Sequence, residues 1–191
     1  STEKKLVTLE EYVSRMKEDQ KYIYYASGET TDRIDRLPQT ERLKEMGYEI
    51  LYLTDDVDEF CLKMMMNFSE KEFRSVSDKD LGLEEKAEDE SIQKRNEENQ
   101  ELFRFMKDAL GDKVTAVRLT SRLKSHPVCL TTDGGLSIEM ERVLNGMPGA
   151  VSNGQKVQAQ RVLELNPDHP IFARLTSLFA EDSQQLKDFT Q

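Results

Sequence analysis

Cysteine and histidine are scarce in this chain, with two of each among 191 residues. Cys61 and Cys129 lie in separate apolar runs, outside any CxxC pair or Cys/His cluster, so neither a disulfide framework nor a zinc site is indicated. Two buried free thiols of a reducing compartment are expected instead. His126 and His169 have no Ser, Cys or acidic residue at a spacing that would build a triad or a metal site. Phosphate-cradling glycine loops are missing too: there is no P-loop and no GxGxxG, and the pair Gly134-Gly135 alone is too common to mark a nucleotide. No apolar run is long enough to span a bilayer, and no signal-peptide core follows Ser1. Basic residues are in deficit, 27 Lys and Arg against 37 Asp and Glu, for a net charge of −10. That balance disfavours nucleic-acid backbones and anionic membrane surfaces, both of which attract cations.

What remains is a polar but structured chain, with a mean hydropathy of −0.69 and 37% apolar residues clustered into patterned segments. Leu9, Tyr12, Val13 and Met16 are spaced for a short amphipathic helix over residues 9–17. The run Tyr22-Ile23-Tyr24-Tyr25-Ala26 predicts a strand buried on both faces, as in a parallel sheet. Pro38 suits the opening of a helix that stops at Gly47, and Ile50 to Leu53 predicts a second apolar strand. Asp56 is placed to cap the next helix, whose apolar positions form two stripes and predict burial on most sides. This order implies a small α/β sandwich, with three layers, up to about residue 78. An acidic connector over 79–101 leads into a helix striped by Leu102, Phe103, Met106, Ala109 and Leu110, and the domain boundary is placed near residue 100. Residues 101–191 read as an α+β domain. Its strands are expected at Val114 to Leu119, Val128 to Thr131 and Val162 to Leu165, with a helix from Leu136 to about Asn145. A mobile glycine-rich loop is expected over 146–155, then a helix from Pro170 capped by Asp168 and a last one over Asp182 to Phe189.

Two features carry candidate chemistry. Asp55, Asp56 and Asp58, with Glu59, follow a strand end, where α/β sheets place ligands, and could hold Mg²⁺ in a small enzyme or nucleotide-binding module. The plainer reading is a helix start, its acids favoured by the helix dipole. In the helix Leu136 to Leu144, Leu136, Met140, Val143 and Leu144 share one side with Met147, while Ile138 stands on another. Periodicity alone leaves open whether that side packs on its own sheet or is an exposed Met- and Leu-rich surface.

Four colinear segments, LEEYVSRMKEDQKYIYY (9–25), LYLTDDVDEFCL (51–62), VRLTSRL (117–123) and ELNPDHP (164–170), resemble the bacterial heat-shock protein 90 chaperones. The acidic connector and the glycine-rich loop match poorly. The resemblance implies a cytoplasmic, ATP-dependent molecular chaperone that binds partly unfolded client proteins. Residues 1–100 would be the end of its middle domain and 101–191 the start of its carboxy-terminal domain. ATP and Mg²⁺ would bind elsewhere in the parent, so this piece is expected to lack a cofactor and not to be an enzyme. The parent would be a homodimer, with co-chaperones possible, through helices expected beyond Gln191. The resemblance further implies client contact at Leu136, Met140, Val143 and Leu144, which match an amphipathic client helix, and at Glu59 and Phe60, which match an acidic–aromatic pair. It also favours exposure of that helix face.

Overall fold

A computed structural model describes residues 1, 5–83, 86–147 and 156–190. The chain builds two small sheets with mixed α and β content. The first begins at α1 (Leu9–Ser14), where Thr8 and Glu11 form a reciprocal capping box: Thr8 Oγ1 accepts from Glu11 N–H and Glu11 Oε2 accepts from Thr8 N–H. β1 (Ile23–Ser27) follows, then α2 (Thr31–Asp35), a 3₁₀ turn at Pro38–Thr40 and α3 (Glu41–Glu45). β2 (Leu51–Leu53), α4 (Asp58–Met65), β3 (Asn67–Phe68) and β4 (Lys71–Ser75) complete this part. The strand order is β2-β1-β4-β3, with β1 parallel to both neighbours and β3 antiparallel to β4.

Because side chains alternate across a strand, β1 feeds two separate cores. Ile23 and Tyr25 pack with Tyr12 of α1 and Leu62 of α4. Tyr24 and Ala26 pack on the other side with Ile34 of α2 and Leu43 of α3. Tyr12 is fully buried, and its hydroxyl donates to Glu49 O at 2.6 Å while accepting from Gln20 Nε2 and Tyr24 N–H. Gly82 has φ +66, and a Cβ there would lie 2.2 Å from the Tyr22 ring, so only glycine fits.

The second part runs α5 (Lys86–Glu98), α6 (Gln100–Leu110), β5 (Ala116–Leu119), β6 (Val128–Thr132), α7 (Ile138–Gly146), β7 (Arg161–Leu165), α8 (Pro170–Glu181) and α9 (Ser183–Thr190). β7 is central, parallel to β5 and antiparallel to β6. One face carries the core: Leu102, Phe103 and Met106 of α6 meet Val117, Leu119 and Leu165 of the sheet, closed by α8 and α9. The stripe read from the sequence for α6 is the face that packs.

The opposite face of this sheet turns to the first part. Glu164 lies in the middle strand with no exposed surface. Arg118, its cross-strand neighbour, pairs with Oε1, and Arg122 Nε lies 2.8 Å from Oε2, an ion pair outside hydrogen-bond geometry. The Arg122 guanidinium also donates to the carbonyls of Val76, Asp78 and Lys79 at 2.8–3.0 Å. Alongside, Thr132 N–H donates to Ser77 O and Lys79 N–H to Thr132 O, so the chain after β4 runs as a ribbon against β6. Glu41 Oε2 accepts from Lys124 N–H at 2.8 Å, and Oε1 meets the Ser125 hydroxyl and His126 Nδ1.

Several expectations need correction. Cys61 is exposed, and so is much of α4: Met64 is 84% and Met66 69% accessible, while only Glu59 and Leu62 of this helix are buried. Both stripes are exposed in part, Val57, Cys61 and Met64 of one and Met65 and Met66 of the other, while Leu62 reaches the core, and Met66 (φ 63) then turns the chain into the two-residue β3. Cys129 is buried as expected; burial pushes its thiol up to about 12, and the adjacent Glu164 carboxylate adds to the shift. Asp56 does not cap α4, which starts after Val57 without a side-chain cap. His169 rather than Asp168 caps α8, through Nδ1 accepting from Ile171 N–H. α2, β3 and β4 were not anticipated, the acidic connector is helical from Lys86, and residues 148–155 of the glycine-rich loop lie outside the described residues.

Two outcomes follow from this interface. Arg122→Ala leaves Oε2 of the buried Glu164 carboxylate without its cation and three carbonyls without their donor, so it should cost about 3–5 kcal/mol in denaturant unfolding; a loss under about 1 kcal/mol contradicts the network. For Glu41, burial opposes ionisation, yet the bonds from Ser125, Lys124 and His126 outweigh it and hold the carboxyl near 2, against 4.5 ordinarily. A depressed folded value means this stabilisation is complete above about pH 4.5 and is lost as pH falls towards 2. The melting-temperature advantage of the wild type over Glu41→Gln should therefore shrink across that window, and a constant difference would refute the assignment.

Candidate functional site

The residues singled out from sequence converge where α4 and α7 meet. β2 ends at Leu53, and residues 54–57 turn the chain so that the first turn of α4 carries Glu59 and Phe60 towards the second part. α7 is capped by Ser137, whose Oγ accepts from Met140 N–H at 3.0 Å, and Leu136 precedes the helix rather than lying on it. A narrow cleft between the two helices is lined by Gly28, Leu53, Phe60, Met140 and Val143, among others.

Glu59 is the centre of this junction and is only 4% exposed. Its Oε2 accepts from the Ser137 hydroxyl at 2.7 Å and its Oε1 from the Tyr25 hydroxyl at 3.2 Å. Burial raises its carboxyl above the ordinary range, with the Ser137 bond opposing the shift. Beside it Arg142 of α7 reaches Asp56 at 2.6 Å and Glu139 at 2.8 Å. Both partners of the Asp56 pair are well exposed, so that contact orients α7 more than it stabilises the fold.

The apolar residues of α7 are neither buried nor fully open. Leu136, Met140, Val143 and Leu144 are all half-buried, and no α7 residue is buried outright. Beyond the helix, exposure rises: Met147 is 46% accessible and Val157 42%. Asn145 holds Val157 in both directions, donating to its carbonyl at 2.8 Å and accepting from its N–H at 3.0 Å. The sequence reading joined Phe60 to Met140 and Val143 only through resemblance, and the structure brings them to one cleft. It did not single out Ser137, Arg142 or Tyr25. A serine directly before an apolar helical run is a cap signal that could have identified Ser137.

The acidic residues are engaged by the local backbone and by α7. Asp58 Oδ2 accepts from Asp55 N–H at 3.3 Å, and Asp56 is engaged by Arg142. Among the described residues no group of three or more His, Cys, Asp or Glu is arranged to hold a metal ion. Nor is any described helix long and apolar enough to cross a membrane.

Similarity to known proteins covers the whole chain. The profile of the family described as "Hsp90 protein" matches residues 1–191. The chain is 58% identical over 189 residues to the chaperone protein HtpG of Clostridium acetobutylicum, covering 99% of this chain and 29% of that protein. It is 56% identical to HtpG of Oceanobacillus iheyensis and 55% to that of Alkaliphilus metalliredigens, each over 190 residues, covering 100% of this chain and 30% of the relative. The chain therefore spans about three tenths of the length of these curated relatives. On a full-length family match and identities above one half, this chain belongs to the Hsp90 family.

Proposed function

We propose that the chain is the client-contact portion of an ATP-dependent molecular chaperone, acting by reversible burial of partly unfolded polypeptide against α7 and the Phe60 side of α4. In this reading residues 1–100 close the middle domain as a small three-layer α/β sandwich, to about residue 78, followed by an acidic connector, and residues 101–191 are an α+β domain. ATP and Mg²⁺ bind a part of the parent that this chain does not include, and the piece itself is not an enzyme. The parent works in the cytoplasm as a homodimer.

The observation that carries the reading is the state of Met140, Val143 and Leu144: half-buried, on a helix with no fully buried residue, continued by the exposed Met147 and Val157. Chaperone clients vary, so a face that captures them must repack, and unbranched methionine supplies that adaptability. A core helix would instead bury its stripe, as α6 does with Leu102, Phe103 and Met106. Phe60 lines the cleft beside Met140 and Val143, and Leu136, half-buried, directly precedes the helix.

Met140→Glu with Leu144→Glu tests this. Each side chain contributes about 1.5–3 kcal/mol when fully buried, so partial burial of two predicts a loss of affinity of about tenfold or more. The readout is fluorescence anisotropy with fluorescein-labelled, reduced and carboxymethylated α-lactalbumin, beside a circular-dichroism melt. Weakened binding at an unchanged melt supports the reading. Undiminished binding by a folded double variant sinks it.

A further inference from the structure

We propose that Glu59 serves the client face as a positioning residue, its buried carboxylate fixing the Ser137 hydroxyl that caps α7. This deepens the reading above and rests on it for the client-binding arm of the test only.

A residue 4% exposed and bonded through both oxygens has no surface to offer a client. What it touches is more informative. A serine hydroxyl has one proton and two lone pairs. Met140 N–H can only donate, so it takes a Ser137 lone pair at 3.0 Å, and the hydroxyl proton is left for Glu59 Oε2 at 2.7 Å. Free serine hydroxyls rotate; this one is held between two fixed partners. Tyr25 of β1 steadies the other carboxylate oxygen. The relay runs from the middle of the first sheet, through α4, to the first turn of α7. Arg142 adds a second tie one turn along, to Asp56. The relay ends at Met140, a residue of the half-buried client face and of the cleft beside Phe60. Loosening the cap therefore frees the turn that presents Met140, without removing any apolar atom from the surface.

The test uses the 191-residue chain with Glu59→Ala, Ser137→Ala, the double variant and Glu59→Gln. Hydrogen exchange at the Met140 amide reads the cap directly, and anisotropy with labelled carboxymethylated α-lactalbumin reads the client face. Glu59→Ala and Ser137→Ala should each speed Met140 exchange roughly fivefold, the usual worth of one N-cap, and weaken client binding in step. The double variant should lose no more than the worse single one, because both changes break the same relay. Glu59→Gln keeps an acceptor for Ser137 and should restore both readouts, which a contribution of charge would not. Unchanged Met140 exchange in Glu59→Ala, losses that multiply in the double variant, or no rescue by glutamine would each overturn the proposal. Where Glu59→Ala fails to fold, Ser137→Ala removes only one oxygen, and unchanged exchange in that variant overturns it equally. Exchange is measured without client, so a chain that binds no α-lactalbumin would refute the client surface while the positioning role stands or falls on Met140.

Discussion

A carboxylate with no exposed surface dominates the arrangement of this chain. Glu164 sits in the central strand of the second sheet, on the face away from the helices, where an unpaired charge would be untenable. Arg118 from the parallel neighbour supplies one cation, but its side chain is half exposed and covers only one oxygen. Arg122 supplies the other and spends its remaining donors on three carbonyls just after β4. The need to satisfy one buried acid in the second sheet is thereby met by docking the backbone of the first. The polar part of the junction is made of guanidinium, carboxylate and peptide groups, each with a defined direction.

That junction determines where the candidate site lies. With residues 76–79 drawn against β6, the β6–α7 connection brings Ser137 over Glu59, and α7 lies across the ends of β1 and β2. The apolar side of α7 takes no part in the core of its own sheet, which is filled by α6, α8 and α9. Nor does it close fully on the first part, because polar ties from Ser137 and Arg142 set its standoff. Half-burial of Met140, Val143 and Leu144 follows from these two restraints, and it leaves a face able to exchange one set of apolar neighbours for another.

Much of the scaffold was legible in the sequence. β1 reads as doubly buried because Tyr22 to Ala26 has no polar alternation, and α6 because its stripe recurs at three and four residues. β4 was missed: Lys71-Glu72-Phe73-Arg74-Ser75 carries three charges, and it is pairing with β1 on one side and β3 on the other that makes it a strand. Met64, Met65 and Met66 read as core, since apolar spacing cannot tell a buried stripe from an exposed one. For the site, the helix and the Glu59–Phe60 pair came through resemblance, but the burial of Glu59 depends on Ser137, 78 positions away in the chain. Segments quoted for the resemblance hold Arg118, Arg122 and Glu164. Composition gave no hint that these charges face one another, and a charge inside an otherwise apolar strand was the only trace of Glu164.

The two parts, joined through Arg122 and Glu164, are expected to unfold as one cooperative body. The chain contains no tryptophan, so a single one can report on each part without background. Phe73→Trp places it in the first core and Phe179→Trp in the second, both at half-buried aromatic positions. Urea unfolding followed by fluorescence in each variant should give coincident midpoints, both also matching the circular-dichroism transition. Two separated midpoints, with one part melting while the other stays folded, would contradict the account.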